Sequence, residues 1–219
     1  EAPSDDGPGR TLMQDMDGEQ RIAFGSDLYQ EGLEQFRFNL GVLLQRYSEA
    51  GIPVYIGTLG SNLRDQSPFL SGSSAIESAE AETAVRSAAI TLGRGNVDEA
   101  LTELDVLLER APDLASAHFL RGRALETLGS IEDAKAAYLA AKEHDELRFR
   151  APGAFNDIIR ALAAEHGAKV VETQQALEDA SPNGLVGRDM MLEHLHPTIT
   201  GYRVLGSAFF MGLAGNQFG

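Results

Sequence analysis

The fold class of this chain depends on a short apolar run, Ile52-Pro53-Val54-Tyr55-Ile56-Gly57. Its length and its β-branched residues predict a buried strand, with Pro53 tolerated only at the start of that strand. Residues 28–50 carry apolar side chains at helical spacing, and Gly51 stands where a glycine commonly ends a helix. The segment therefore predicts a helix followed by a strand.

The same order of elements recurs far downstream. Residues 155–163 form an apolar helical stripe, Gly167 follows it, and Lys169-Val170-Val171 begins a second predicted strand. A helix, a glycine and a strand, repeated at the same offset, are typical of a parallel α/β sheet. Two strands are few for such a sheet, so further strands are expected from residues 1–20, from a second chain or from preceding polypeptide.

Between these units, residues 80–145 are predicted to be wholly helical and to repeat every 34 residues, since Gly95 matches Gly129 at that distance. That period is the one of tetratricopeptide (TPR) repeats, and the interval resembles two of them. Small residues at Gly122 and Ala134 are expected to let paired helices approach closely. The resemblance implies binding of a protein partner through this region.

The most informative segment for function is Glu193-His194-Leu195-His196-Pro197. It precedes the last predicted helix, residues 201–213, whose N-cap is expected at Thr198 or Thr200. Loops at the carboxyl ends of strands present functional groups in α/β proteins. An imidazole with a carboxylate three residues earlier supplies a general base and the group that orients it, so His196 and Glu193 are the candidate catalytic residues.

This segment resembles the last sequence block of SGNH/GDSL hydrolases, Asp-x-x-His before a helix. His196 stands at the family's catalytic histidine, and Glu193 stands where the family usually has aspartate. The resemblance covers residues from about 20 to 214, including the helical insertion. Its other matching stretches are Ser61-Asn62-Leu63-Arg64-Asp65, Pro68-Phe69, Arg148-Phe149-Arg150-Ala151-Pro152 and the helix that contains Asn156.

Three residues of these stretches, Asn62, Arg148 and Arg150, are the candidate substrate-binding residues. Asn62 is a possible donor to the substrate oxyanion, and its alternative role is to shape the turn after the strand. The two arginines would bind an anionic substrate or a carboxylate, and salt bridges with neighbouring acids are their alternative role.

The family's nucleophilic serine lies in an N-terminal Gly-Asp-Ser block, and this chain contains no such tripeptide. Gly25-Ser26-Asp27 has the reverse order and follows no predicted strand. The resemblance therefore implies the C-terminal part of a hydrolase, in an α/β fold with a partial flavodoxin-like parallel sheet and an inserted all-α TPR region. The expected parts are an arm (1–20), two SGNH-like segments (21–75 and 146–219) and the two-repeat insertion (80–145).

The implied activity is that of a serine esterase or acylhydrolase on an acyl ester, with the ester on a carbohydrate or a lipid. The resemblance also implies a location in the cell envelope. Without the serine block, the chain alone is expected to be inactive towards p-nitrophenyl acetate. The alternative function is a non-catalytic protein-interaction module, in which the TPR region binds a partner on a degenerate hydrolase scaffold.

Composition excludes several classes of function. The 219 residues include 33 acidic and 18 basic ones, and the net charge of −15 argues against binding nucleic acid. The absence of cysteine excludes disulfide scaffolds and cysteine-ligated metal sites. No run approaches the ~20 apolar residues of a membrane-spanning helix. Only three of the basic residues are lysines. This low lysine content has two explanations, a high-salt environment and the arginine bias of a GC-rich genome.

A metal site is the less favoured alternative at the histidine segment. His194 and His196 stand two residues apart, and only Glu193 and Asp189 lie nearby as further ligands. We therefore expect neither a metal ion nor another cofactor.

Overall fold

A computed structural model describes residues 21–217 of the chain, so the predicted arm, residues 1–20, lies outside the described residues. Helices hold 62% of the structure, and within residues 21–217 two strands form the one sheet. The helices are α1 (Asp27–Glu49), α2 (Ser78–Gly93), α3 (Val97–Arg110), α4 (Ala115–Thr127), α5 (Ile131–Glu143), α6 (Gly153–His166), α7 (Thr173–Ala180), a short 3-10 helix (Pro182–Gly184) and α8 (Ile199–Gln217).

The sheet consists of β1 (Tyr55–Gly57) and β2 (Lys169–Val171), which run parallel. Their register pairs Tyr55 with Lys169 and Gly57 with Val171. The N–H of Lys169 donates to the carbonyl of Val54 at 2.8 Å, which extends the ladder by one hydrogen bond. The two predicted strands are therefore neighbours.

Helices cover both faces of this small sheet. On one face, α1 packs on α6, with the rings of Phe36 and Phe155 stacked at 4.2 Å; Val54 joins that cluster. On the other face, α8 brings Phe209 against Gly57, where an added Cβ would lie 3.1 Å from the ring. Successive residues of a strand point to opposite faces, so Val54 and Gly57 contact different layers.

The predicted fold class is nevertheless wrong. The described residues form a small α-rich fold, because they contain eight α-helices and a sheet of only three residue pairs. The repeated order of helix, glycine and strand predicts a parallel α/β sheet, and the resemblance to SGNH/GDSL hydrolases implies its partial flavodoxin-like form. That order is present, but β2 ends at Val171 and α7 begins at Thr173, which leaves the sheet too short to be the central layer of an α/β protein.

The prediction of a wholly helical region at 80–145 is confirmed. The helices α2 to α5 form two consecutive helical hairpins. Their turns contain Gly95 and Gly129 with φ of +86° and +79°, a left-handed conformation that glycine adopts without steric cost. Gly122 lets α4 approach α5, because an added Cβ would lie 2.7 Å from the ring of Tyr138. The assignment of these hairpins to the TPR family stays a prediction.

The second hairpin shares a hydrophobic core with the segments around the sheet. Leu63 follows β1 and Leu185 follows α7, and both pack in one buried cluster with Phe119, Leu125 and Tyr138 of the hairpin. The loop after β1 is thus held between the helical hairpins and the histidine-containing segment.

The last helix begins close to its predicted start. The hydroxyl of Thr198 accepts a hydrogen bond of 3.1 Å from the N–H of Gly201, which is the contact expected of an N-cap residue. No helix within residues 21–217 has both the length and the apolar character that crossing a membrane requires.

Candidate functional site

A narrow loop between Met190 and Thr198 presents the predicted catalytic residues. Met191 and Pro197 face each other as an antiparallel bridge at its base. The N–H of Leu192 donates to the carbonyl of His196, and that of Thr198 donates to the carbonyl of Met190, each at 2.8 Å. These bonds place residues 193–195 at the tip of the loop.

The carboxylate of Glu193 organises this tip. Its Oε2 accepts hydrogen bonds from the backbone N–H groups of His194 and Leu195 at 2.6 and 3.2 Å, and its Oε1 accepts one from the N–H of His196 at 2.9 Å. Oε1 also contacts Nδ1 of His196, and Oε2 contacts Nδ1 of His194. One carboxylate thus orients two imidazole rings.

This network keeps Glu193 ionised at neutral pH. Burial by itself would raise the pKa of Glu193, but hydrogen bonds from the N–H and ring of His196 and from the N–H groups of His194 and Leu195 outweigh it and lower the pKa to about 2. The side chain is 39% exposed, so the hydrogen bonds stabilise the charge together with water.

His196 has the geometry of a general base. Its Nδ1 faces the Glu193 carboxylate, and its side chain is 66% exposed. Within residues 21–217, no group forms a hydrogen bond with its Nε2. A neutral imidazole that donates from Nδ1 carries a free lone pair on Nε2, which is the form that accepts a proton from a nucleophile.

His194 lies in a different environment, although it is only two residues away. The residue is 8% exposed, and its ring meets Phe69 edge-on at 5.1 Å and Phe149 at 5.8 Å. Burial lowers the pKa of His194, against the opposing effect of Glu193. The ring of His194 is thus packed, whereas the ring of His196 is exposed. Within residues 21–217, no cluster of three side chains that could hold a metal ion occurs.

Asn62 holds the histidine loop from the side of β1. Its N–H donates to the carbonyl of His194 and its Nδ2 donates to the carbonyl of Glu193, both at 3.0 Å. Its Oδ1 accepts from the N–H of Asp65 at 2.9 Å. The residue is 1% exposed, and both polar atoms of its side chain take part in these contacts, as expected of the turn-shaping alternative.

Arg150 lies beneath the same loop. Its Nη1 donates to the carbonyls of Asn62 and Gln66 at 3.1 Å each, and its Nη2 donates to Oδ2 of Asp145 at 3.0 Å. Both members of the ion pair are buried. These contacts are those of the salt-bridge alternative, and the predicted substrate-binding role of Arg150 has no exposed group to support it.

Arg148 also makes structural contacts. Its Nε donates to the carbonyl of Ile22 at 3.0 Å and its Nη1 donates to the carbonyl of Glu143 at 2.5 Å. Its guanidinium lies 5.1 Å from the centre of the Tyr29 ring. Arg148 therefore joins the start of α1 to the end of α5, away from the backbone of the Asn62 turn that Arg150 holds.

The serine of the reversed tripeptide has a local structural role. Ser26 is the N-cap of α1, and its hydroxyl accepts a hydrogen bond from the N–H of Tyr29 at 3.3 Å while donating to the carbonyl of Ala23 at 2.8 Å. This hydroxyl caps the start of α1, and it forms no hydrogen bond with His196.

Two further residues support the site, and the sequence analysis names one of them, Asn156, only through the helix that contains it. The carboxylate of Asp145 accepts hydrogen bonds from the backbone N–H groups of Phe69 and Leu70, at 3.0 Å each, and from the guanidinium of Arg150. Asn156 lies buried on α6. Its Oδ1 accepts a hydrogen bond of 2.7 Å from the N–H of Leu59, and its Nδ2 donates one of 3.0 Å to the carbonyl of Leu59. A polar residue on an otherwise apolar helical stripe was the available signal for Asn156; Asp145 offered none.

Comparisons of this chain with known protein families, with curated proteins and with solved structures find no match.

Proposed function

We propose that this chain supplies the histidine and carboxylate of a serine-type ester hydrolase. The observation that carries the proposal is the contact between Oε1 of Glu193 and Nδ1 of His196, which leaves Nε2 of an exposed ring without a partner in residues 21–217. The resemblance to the last block of SGNH/GDSL hydrolases supports the same assignment, with Glu193 in place of aspartate.

In the proposed reaction, Nε2 of His196 takes the proton from a serine hydroxyl while the serine oxygen attacks the acyl carbon. The tetrahedral intermediate collapses, the bond to the leaving alcohol breaks, and His196 returns the proton to that alcohol. Water then repeats the sequence on the acyl-enzyme. Glu193 stays ionised throughout because of its low pKa, so it stabilises the imidazolium that forms at His196.

The serine and the oxyanion donors are proposed to come from polypeptide that is not part of these 219 residues. Among the described residues, no hydroxyl group forms a hydrogen bond with Nε2 of His196, and Ser26 is occupied as a helix cap. The substrate class is an acyl ester, with the acyl group carried by a carbohydrate or a lipid.

The test uses the full-length natural protein that contains this chain and a fluorophosphonate, which reacts with activated serines. We expect labelling of one serine, and we expect His196→Ala to lower both labelling and ester turnover by about 10²–10⁴-fold, the usual contribution of a general base. His166→Ala, at the end of α6, is the matched control. Equal labelling of wild type and His196→Ala would refute the proposal.

A second measurement addresses the origin of the serine. The chain of 219 residues alone is expected to hydrolyse p-nitrophenyl acetate no faster than the same chain with His196→Ala. A His196-dependent burst from this chain alone would show that the nucleophile lies within it, which overturns that part of the proposal.

One observation favours the alternative, a protein-interaction module. A cavity of about 570 Å³ is lined by α2, by α4 and by the loop around Pro68 and Leu70. It is wide enough for a peptide side chain and offers apolar contacts. Selection of peptides against the wild-type chain and against Ala89→Arg, which blocks this cavity, tests the idea; Val106→Arg on the exposed face of α3 is the control. Peptides that bind all three proteins equally would exclude the cavity as their site.

A further inference from the structure

A second cavity, of about 650 Å³, lies where α4 and α5 meet the loop after β1. Its size is typical of sites for small molecules. Its wall includes three arginines, Arg64, Arg123 and Arg188, although the chain carries only 18 basic residues against 33 acidic ones. Basic residues thus outnumber the two acids of this wall, Asp65 and Glu126, against the trend of the whole protein.

One of the three arginines is fixed in place by an acid. Nη2 of Arg64 lies 3.2 Å from Oδ2 of Asp65, and the same oxygen accepts the backbone N–H of Arg188 at 2.8 Å. Gly187 permits this close arrangement, because an added Cβ would lie 3.1 Å from Nε of Arg64. Asp65 thus neutralises Arg64 and also fixes the backbone position of Arg188.

The other two arginines have no such partner. Within residues 21–217, no carboxylate oxygen lies within 4 Å of the guanidinium nitrogens of Arg123 or Arg188, and neither side chain donates a hydrogen bond. Besides Asp65, the wall contains one other acid, Glu126, whose Oε2 accepts a hydrogen bond of 2.7 Å from the hydroxyl of Tyr138. Two guanidinium groups with free donors therefore border one cavity that is open to solvent.

The remaining wall is rigid and partly aromatic. Tyr138 is buried, and Gly122 on α4 packs directly against its ring. The ring of Phe119 lies 5.5 Å from it. A ligand would thus meet packed aromatic side chains on this part of the wall, which limits the conformational entropy lost on binding.

We propose that this cavity binds a small oxyanion, a molecule carrying a carboxylate or a phosphate group, through Arg123 and Arg188. A guanidinium presents paired N–H donors that match the two oxygens of either group. The pair of Arg64 and Asp65 forms the fixed wall behind the ligand. This inference does not rest on the proposed hydrolase function, since none of the three arginines contacts Glu193 or His196.

The test is calorimetric titration of the chain with inorganic phosphate and with citrate, at constant ionic strength so that general screening does not change. We expect saturable binding of at least one of the two anions, and the tighter one identifies the phosphate or the carboxylate class. Arg123→Gln and Arg188→Gln should each weaken binding about tenfold or more, because each removes a charge-assisted hydrogen bond.

Arg37→Gln is the matched control, since Arg37 is exposed on α1 and lines no described cavity. Both cavity arginines are exposed, so the variants should unfold at the wild-type temperature. The proposal is overturned if neither anion binds saturably, or if Arg37→Gln weakens binding as much as the cavity variants do.

Discussion

Oδ2 of Asp145 accepts a hydrogen bond of 3.0 Å from Nη2 of Arg150, and both side chains are at most 3% exposed. Asp145 also accepts hydrogen bonds from the N–H groups of Phe69 and Leu70. Arg150 also donates hydrogen bonds to the carbonyls of Asn62 and Gln66. This buried pair therefore holds both ends of the loop whose first residue, Asn62, supports the histidine tip.

Removing one member of this pair should destabilise the protein strongly. Asp145→Asn leaves the Arg150 guanidinium buried without a counter-charge, and Arg150→Met does the same to the acid, so we expect each to lower the free energy of unfolding by about 3–5 kcal/mol in urea denaturation. The double variant should recover part of that loss. Arg160→Met is the control: its pair with Glu172 is exposed, and we expect a loss below about 1 kcal/mol. Similar losses at both sites would contradict the structural role of the buried pair.

Gly122 should tolerate no side chain. An alanine Cβ would lie 2.7 Å from the ring of Tyr138 inside the second hairpin, so we expect Gly122→Ala to lower the free energy of unfolding by about 1–3 kcal/mol. Gly32→Ala is the matched control on α1, where an added Cβ meets no atom within 4 Å. There the loss of glycine freedom in the unfolded chain should stabilise by about 0.5–1 kcal/mol. A stable Gly122→Ala variant would show that α4 and α5 can separate.

The histidine tip should lose stability in acid. The pKa of Glu193 is about 2 in the folded protein and has an ordinary value of 4.5, so its contribution is fully present above pH 4.5 and is lost as the pH falls towards 2. We expect the difference in unfolding temperature between wild type and Glu193→Gln to shrink across that range. The change will be modest because the side chain is 39% exposed. A difference that does not vary with pH would mean that the folded tip does not stabilise the Glu193 carboxylate.

A pair of stacked imidazoles should add a second pH dependence. The rings of His118 and His144 lie 5.4 Å apart and nearly parallel, and the N–H at Nε2 of His118 donates to the carbonyl of Pro112 at 2.8 Å. Burial lowers the pKa of both rings, so the unfolded chain binds more protons and stability falls as the pH drops below the ordinary value of 6.5.

The measurement is the urea midpoint between about pH 7.5 and pH 5.5, where histidines titrate. His144→Gln removes one of the two rings and should reduce the loss on acidification. Asp113 favours protonation of both rings, Arg121 opposes that of His118, and Arg148 opposes that of His144. An unchanged acid loss in His144→Gln would exclude the stacked pair as its cause.

The candidate site was partly predictable because its central pair is local. Glu193 and His196 are three residues apart in a loop that Pro197 helps to close, so their proximity follows from the chain itself. The support of that loop is not local. Asn62 reaches the carbonyl of Glu193 across 131 positions, and Arg150 reaches the carbonyl of Asn62 across 88. A motif contains no information on contacts at such separations.

The helices of residues 80–145, their glycine turns and the capping of α8 by Thr198 follow from the sequence alone, because periodicity and capping are interactions of neighbouring residues. Only the tertiary structure decided that the fold is α-rich, since the number and length of paired strands depend on contacts between distant segments. It also decided that Arg150 is a buried structural residue, whereas its charge alone permitted a ligand contact as well as a salt bridge.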